Sequence, residues 1–195
     1  RKMRGRSIYR TIYFLPMVVA PAAVAMVWRW LYNSQFGLLN HMLHVKIEWI
    51  SNPHIAWISI AIIGVWSAIG YNMVLFLAGL QEIPRDYYEA ADIDGASGPR
   101  MFFNITIPLL SPTIFFVMVT SIIGAFQVFD LIYMVMDETN TALPKTQTIV
   151  YLFYRYSFAY NNKGYGSAIV MLLLCVIILI TVFQMIGQKK WVHYN

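Results

Sequence analysis

Residues 167–187 read SAIVMLLLCVIILITVFQMIG, a run of twenty-one positions without a single charge. An α-helix rises 1.5 Å per residue and a bilayer's hydrocarbon core is about 30 Å thick, so about twenty apolar residues span it. Lipid offers no partner to backbone N–H and C=O groups, and a helix satisfies them within itself. The run therefore predicts a transmembrane helix. Cys175, the one cysteine of the chain, lies in its middle, where it has no internal disulfide partner and acts as a small inert hydrophobe.

Three further stretches, residues 11–31, 55–80 and 113–136, have comparable length and greasiness, and together the four cover most of the 195 residues. The composition agrees: 59% of the residues are hydrophobic and 12% charged, which no ordinary water-soluble domain requires. The fold class expected is all-α, a polytopic membrane protein with four transmembrane helices. Pro16 and Pro21 predict kinks in the first span, because neighbouring groups can satisfy the freed backbone. Arg29, between Trp28 and Trp30, is read as snorkelling to an interface within an aromatic belt.

Short cytoplasmic segments are enriched in Lys and Arg. The amino-terminal RKMRGRSIYR, residues 81–111 and the tail QKKWVHYN hold nine of them, against four in residues 33–54 and 137–166. This places both termini and the segment between the second and third spans in the cytoplasm. The basic amino terminus then reflects topology and anionic lipid, and nucleic acid is not expected as a partner. No cleavable signal peptide is expected ahead of the first span. Arg1 in place of an initiating Met points to an internal fragment. His41 and His44 have i,i+3 spacing, but no third ligand accompanies them, so metal is not expected. Phosphate loops, nucleophile elbows and paired catalytic carboxylates are missing, and the chain reads as one membrane domain, not an enzyme.

Between the second and third spans lies YYEAADIDGASGPRMFFNITIP, residues 87–108; with Asp86 it brings together Asp86, Glu89, Asp92 and Asp94, four of the nine acidic residues. Pro84 suits the first turn of a helix, Asp86 and Glu89 suit its positive end, and Gly95 can stop it, which predicts a helix over 84–94. Ser97 can cap a second short segment with Pro99 in its first turn, before Pro108 and Pro112 lead into the third span. Ala90, Ala91, Gly95 and Ala96 present little bulk, so another surface can approach closely. Composition alone does not separate a docking element from a solvated loop.

Spacing does. EAA at 89–91, three residues, Gly95, nine residues, then Ile105-Thr106-Ile107-Pro108 resembles the EAA signature of the permease subunits of ABC importers, with Ile107 where Leu is usual. The stretches RTIYFLPMVVAPAAVAMVWRWLYNSQFGLLN, LAGLQEIPRDYYEAADIDGAS and KGYGSA narrow the resemblance to bacterial ABC carbohydrate importers of the maltose-system MalF group. It covers the chain from Tyr9 to about Gly187. Such permeases have six spans, so the resemblance implies the last four, in an ABC transporter transmembrane domain over 1–195 truncated at its N-terminus, with an EAA loop at 82–111. One departure is MDETNTALPKTQT, residues 136–148, where the family often carries Thr-Gly-Gly-Pro.

The resemblance implies a coupling helix docked in a cytoplasmic ATPase, with Asp86, Glu89, Ala90, Ala91, Asp94, Gly95, Ala96, Ser97 and Gly98 carrying ATP-driven motion into the spans. Glu89 would pair with a basic group of the ATPase. ATP and Mg would be bound by that partner, and no cofactor by this chain. It further implies a second permease subunit, an extracellular sugar-binding protein, a sugar substrate and a bacterial cytoplasmic membrane.

Polar side chains within spans are candidates for the solute path, because lipid penalises unpaired ones. Gly64, Ser67, Ala68 and Tyr71 share one face of the second span, with Asn72 beside them; Ser121, Gly124, Ala125 and Val128 form a stripe in the third, with Gln127 and Asp130 nearby. For any single small residue helix packing is the favoured reading over solute contact, whereas Tyr71, Asn72 and Gln127 are the stronger solute candidates. Asp130 suits an outer gate or a structural hydrogen bond as well as substrate. An ABC permease for a non-sugar solute, an ion-coupled secondary transporter and a non-transporting scaffold are the alternatives. Ion coupling would need intramembrane ionisable groups, of which Asp130 is almost the only one. Substrate-stimulated ATP hydrolysis by the reconstituted assembly would discriminate against a scaffold.

Overall fold

A computed structural model describes residues 6–193, and among them every regular element is helical. Arg1, Lys2 and Arg4 of the basic amino terminus lie outside these residues. Among the described residues three helical runs are long and apolar enough to cross a membrane, α4 (Ala56–Glu82), the continuous run Gly98–Phe126 and α11 (Lys163–Gln188), and a bent helix pair near the amino terminus makes a fourth if it counts as one span. The second and fourth spans thus stand close to their expected limits.

The first span differs. Helices α1 (Arg6–Val18) and α2 (Pro21–Leu31) meet at 107°, a break rather than a kink. Ala20 is extended, with φ −57° and ψ 135°. The residue before a proline is pushed out of the helical region, so Pro21 opens a new helix and the chain turns ahead of it. Pro16, by contrast, stays inside α1.

The third span is also corrected, from 113–136 to 98–126. The short helices α5 (Asp86–Ile93) and α6 (Gly98–Met101) precede a π-helical turn, Phe102–Thr106, that runs directly into α7 (Ile107–Phe126), so Pro108 and Pro112 lie inside the span. α7 ends at Phe126, and Asp130 instead opens the short helix α8 (Asp130–Val135). An acidic side chain in a first turn faces the positive end of the helix dipole.

The chain divides into two compact units. The first comprises the residues up to Gly70 together with Phe126–Leu173. Its core includes Val24, Ala25, Ile60, Ile63, Ile132 and Tyr151, all buried. Trp28, half-buried, packs against this core, lying 5.2 Å from Tyr32 and edge-on to Trp66 at 5.7 Å, while Trp30 is exposed. Arg29 does not simply snorkel: its Nη2 lies 2.6 Å from Oδ2 of Asp137. The buried Asn40 ties the turn after α2 by donating to the carbonyls of Ser34 and Ile47 and accepting from the Trp49 indole at 2.7 Å. His41 lies in helix α3 (Leu38–Leu43) and His44 at its left-handed end.

The second unit comprises Tyr71–Ala125 and Leu174–Asn195. Within it α4 and α7 approach closely at Gly79, where an added Cβ would overlap Thr113 Oγ1 and stand 2.9 Å from Leu110 Cδ1. Small residues let helix backbones approach in this way.

Candidate functional site

Helix α5 is eight residues long with Asp86 and Glu89 in its first turn, where the helix dipole favours acids. Asp86, Glu89, Ala90 and Ile93 are exposed and recur at i, i+3, i+4 and i+7, so they share one face. Ile93 is 87% exposed, an apolar side chain standing among carboxylates. The other face turns inward: Ala91 is buried, and the phenol of Tyr88 lies 2.9 Å from the hydroxyl of buried Thr106 in the π turn. Of the small residues read as permitting docking, Ala91 therefore packs within its own chain.

Gly95 has φ +70°, the left-handed region that glycine enters without penalty. Its N–H donates to Asp92 O at 3.1 Å and that of Ala96 to Ala91 O at 2.9 Å. These are the paired bonds of a Schellman termination, which satisfies carbonyls at the helix end. The EAA-to-Gly spacing thus has a local physical cause: the glycine closes the helix that the EAA triplet occupies. A Cβ at Gly95 or Gly98 would meet nothing within 4 Å, so space around both is open. Ser97 sits extended at the N-cap position of α6 as expected, but its side chain makes no capping hydrogen bond.

Asp94, Gly95, Ser97 and Gly98 are exposed and Ala96 half-buried. Among the described residues, Asp86, Glu89, Asp92 and Asp94 form no ion pair. The element is therefore an acidic, small-residue face with one apolar projection. Tyr88, Thr106 and Ile93 were not singled out from the sequence. Ile93 was accessible from helical period, being four residues after Glu89, whereas the Tyr88–Thr106 pair depends on the turn geometry.

The solute-path residues divide among elements. Gly64, Ser67, Tyr71 and Asn72 lie on α4, Ser121 and Gly124 on α7, Gln127 in the break after α7, and Asp130 at the start of α8. Tyr71, Ser121 and Gly124 are exposed, and a Cβ at Gly124 would have open space. Gln127 borders a cavity of about 350 Å³ otherwise lined by Ile149, Val150, Phe153, Ile169, Val170 and Leu173. Val128 leaves the expected stripe, because it lies beyond the end of α7, where its carbonyl accepts from Thr148 Oγ1 at 2.5 Å. Among the described residues, Ser67, Tyr71, Asn72, Ser121, Gln127 and Asp130 make no side-chain hydrogen bond, so their donors and acceptors are available.

The family described as binding-protein-dependent transport system inner membrane component matches residues 1–191. The permease protein UgpA of the sn-glycerol-3-phosphate transport system of Agrobacterium fabrum is 37% identical over 199 residues, covering 100% of this chain and 67% of that protein. YesP of Bacillus subtilis, a probable ABC transporter permease protein, is 38% identical over 199 residues, covering 98% of this chain and 63% of that protein. The chain thus spans about two thirds of the length of these relatives. The crystal structure of a bacterial ABC transporter involved in import of the acidic polysaccharide alginate matches with TM-score 0.87 and 22% identity over 97% of this chain and 68% of that one. A second structure of the bacterial alginate transporter, in complex with alginate pentasaccharide-bound periplasmic protein, matches with TM-score 0.88 at 22% identity, over 97% of this chain and 67% of that one. At that identity the likeness is one of fold.

Proposed function

The chain belongs to the family of binding-protein-dependent transport system inner membrane components, a multi-pass membrane transport family rather than an enzyme family, and we propose that it is a permease subunit of an ATP-driven importer for sugars or oligosaccharides. The observation that carries this reading is α5: an exposed Asp86–Glu89–Ala90–Ile93 face, closed by Gly95, in the EAA spacing. Residues 1–195 form an ABC permease domain in which the loop 82–111 carries the coupling element, and both chain ends face the cytoplasm. Asp86, Glu89, Ala90, Asp94, Gly95, Ala96, Ser97 and Gly98 dock on a separate ATPase, with Ala91 holding the helix from beneath. The unpaired carboxylates call for a basic cleft, and ATP and Mg stay with that partner.

A second permease completes the pathway and an extracellular binding protein delivers the solute. Gly64, Ser67, Tyr71, Asn72, Ser121, Gly124, Gln127 and Asp130 line the path, where small residues leave room and uncommitted polar groups meet hydroxyls. The names of the UgpA relatives favour a second reading of the solute, a polyol phosphate. Uptake of labelled sugars and labelled sn-glycerol-3-phosphate by membranes holding the complete complex tests both. Glu89→Lys and deletion of residues 86–98 are expected to abolish ATP-driven uptake; unchanged uptake would refute the coupling assignment.

A further inference from the structure

Pro108 and Pro112 stand four residues apart in α7. A helical carbonyl accepts the N–H four residues ahead, and Pro112 has none, so the carbonyl of Pro108 lacks its helical donor. The hydroxyl of Ser111 takes that role, with Oγ donating to Pro108 O at 2.6 Å. Ser111 is 2% exposed. Its oxygen also accepts from the main-chain N–H of His193 at 2.9 Å, across 82 residues of sequence. Two residues earlier, Trp191 sets its ring edge-on to Phe115, with centroids 6.1 Å apart and planes at 71°. One hydroxyl, used as donor and acceptor together, and one ring pair fasten the segment after α11 to the base of α7.

We propose that Ser111 and the backbone of residues 191–193 form a strap that fixes the base of α7, making Ser111 a positioning residue for energy coupling. The proposal rests on the importer reading above. The base of α7 is where a helix resists bending least: the wide π turn Phe102–Thr106 leads into it, and two prolines within the next turns withhold backbone donors. Tyr88 ties α5 to that same turn through Thr106. Displacement of α5 therefore reaches α7 through a deformable joint, and a joint free to flex would absorb it. The strap removes that freedom by holding α7 beyond the joint, at Ser111 and Phe115, against a segment continuous with α11.

The test uses the complete importer in proteoliposomes, with radiolabelled glucose oligomers and radiolabelled sn-glycerol-3-phosphate as probes, and reads solute transported per ATP hydrolysed. Ser111→Ala removes the bridging hydroxyl; His193→Pro removes the donor N–H without touching a buried side chain, and serves where Ser111→Ala lowers the yield of complex. Each is expected to lower the ratio about tenfold, the weight of one buried hydrogen bond, with the KM for solute unchanged. Ser111→Thr restores the ratio, and the double variant loses no more than either single one. An unchanged ratio in either single variant, or a double loss equal to the product of the single losses, overturns the strap. Glu89→Lys in the same preparation separates the readings: loss of uptake there, with unchanged ratios in the strap variants, overturns the strap alone. Uptake indifferent to Glu89→Lys overturns the importer reading beneath it.

Discussion

The phenol oxygen of Tyr88 and the hydroxyl oxygen of Thr106 stand 2.9 Å apart, a link across eighteen residues from the inner face of α5 to the turn beneath α7. Either atom can donate, and Thr106 is buried. Through this contact the exposed acidic helix is attached to a span rather than merely tethered by its loop.

Tyr88→Phe keeps the ring and removes the bond, leaving a buried hydroxyl with one partner fewer at a cost of about 1–2 kcal/mol. Amide hydrogen exchange over α5 should then accelerate about tenfold while α11 stays protected, because exchange reports local opening. Equal protection of α5 in the wild type and the variant would show that other contacts hold it.

At Gly95 the demand is conformational alone, since a side chain would meet nothing within 4 Å but the φ is +70°. Gly95→Ala is expected to cost about 1–2 kcal/mol and Gly95→Asn distinctly less, because asparagine tolerates the left-handed region. Thermal melts of the assembled complex should rank Gly above Asn above Ala above Val. Equivalent melts for Ala and Asn would mean that the turn relaxes.

Gly79 makes the opposite demand, one of space. Gly79→Ala drives a methyl into Thr113 Oγ1 and toward Leu110, and overpacking of this kind costs about 1–3 kcal/mol. Thr113→Ala should be nearly neutral alone and should rescue much of the Gly79→Ala loss, measured by denaturation in detergent. Additive losses would contradict the close approach, because independent sites add.

The phenol pKa of Tyr154 is raised above its ordinary value, foremost by its hydrogen bond to Tyr133, then by desolvation and by the negative potentials of Tyr133, Glu138 and Tyr151. A raised folded pKa means that this contribution to stability is present below the ordinary tyrosine range and lost as pH rises through the folded value. Tyr133→Phe should move the Tyr154 titration toward the unperturbed value, read by NMR of labelled tyrosine. A titration that stays in place would reassign the shift to Glu138 and burial.

Much of the fold was legible because its strongest signals are local. Residues 167–187 have no charge to strand in lipid, and α11 follows; Gly95 has no Cβ to oppose a left-handed turn, and α5 ends there. Proline was less legible. Pro16, Pro108 and Pro112 stay within helices, and the Pro108 carbonyl that Pro112 frees accepts from Ser111 Oγ, whereas Pro21 opens a helix at 107° to its predecessor after an extended Ala20. Asp130 read as belonging to a span because the apolar run continues past it, whereas the chain breaks after Phe126 and spends that run on the core around Ile132 and Val135.

The sequence by itself determined that this chain is built of lipid-length helices interrupted by an acidic element of fixed spacing. Helix length and glycine conformation depend on neighbours only a few residues away. Which face of α5 is free, which tryptophans pack against the core, and what holds the base of α7 were decided only by tertiary structure. Arg29 with Asp137, Tyr88 with Thr106 and Ser111 with His193 meet across 108, 18 and 82 residues, and such pairings are created by packing, not by any local pattern.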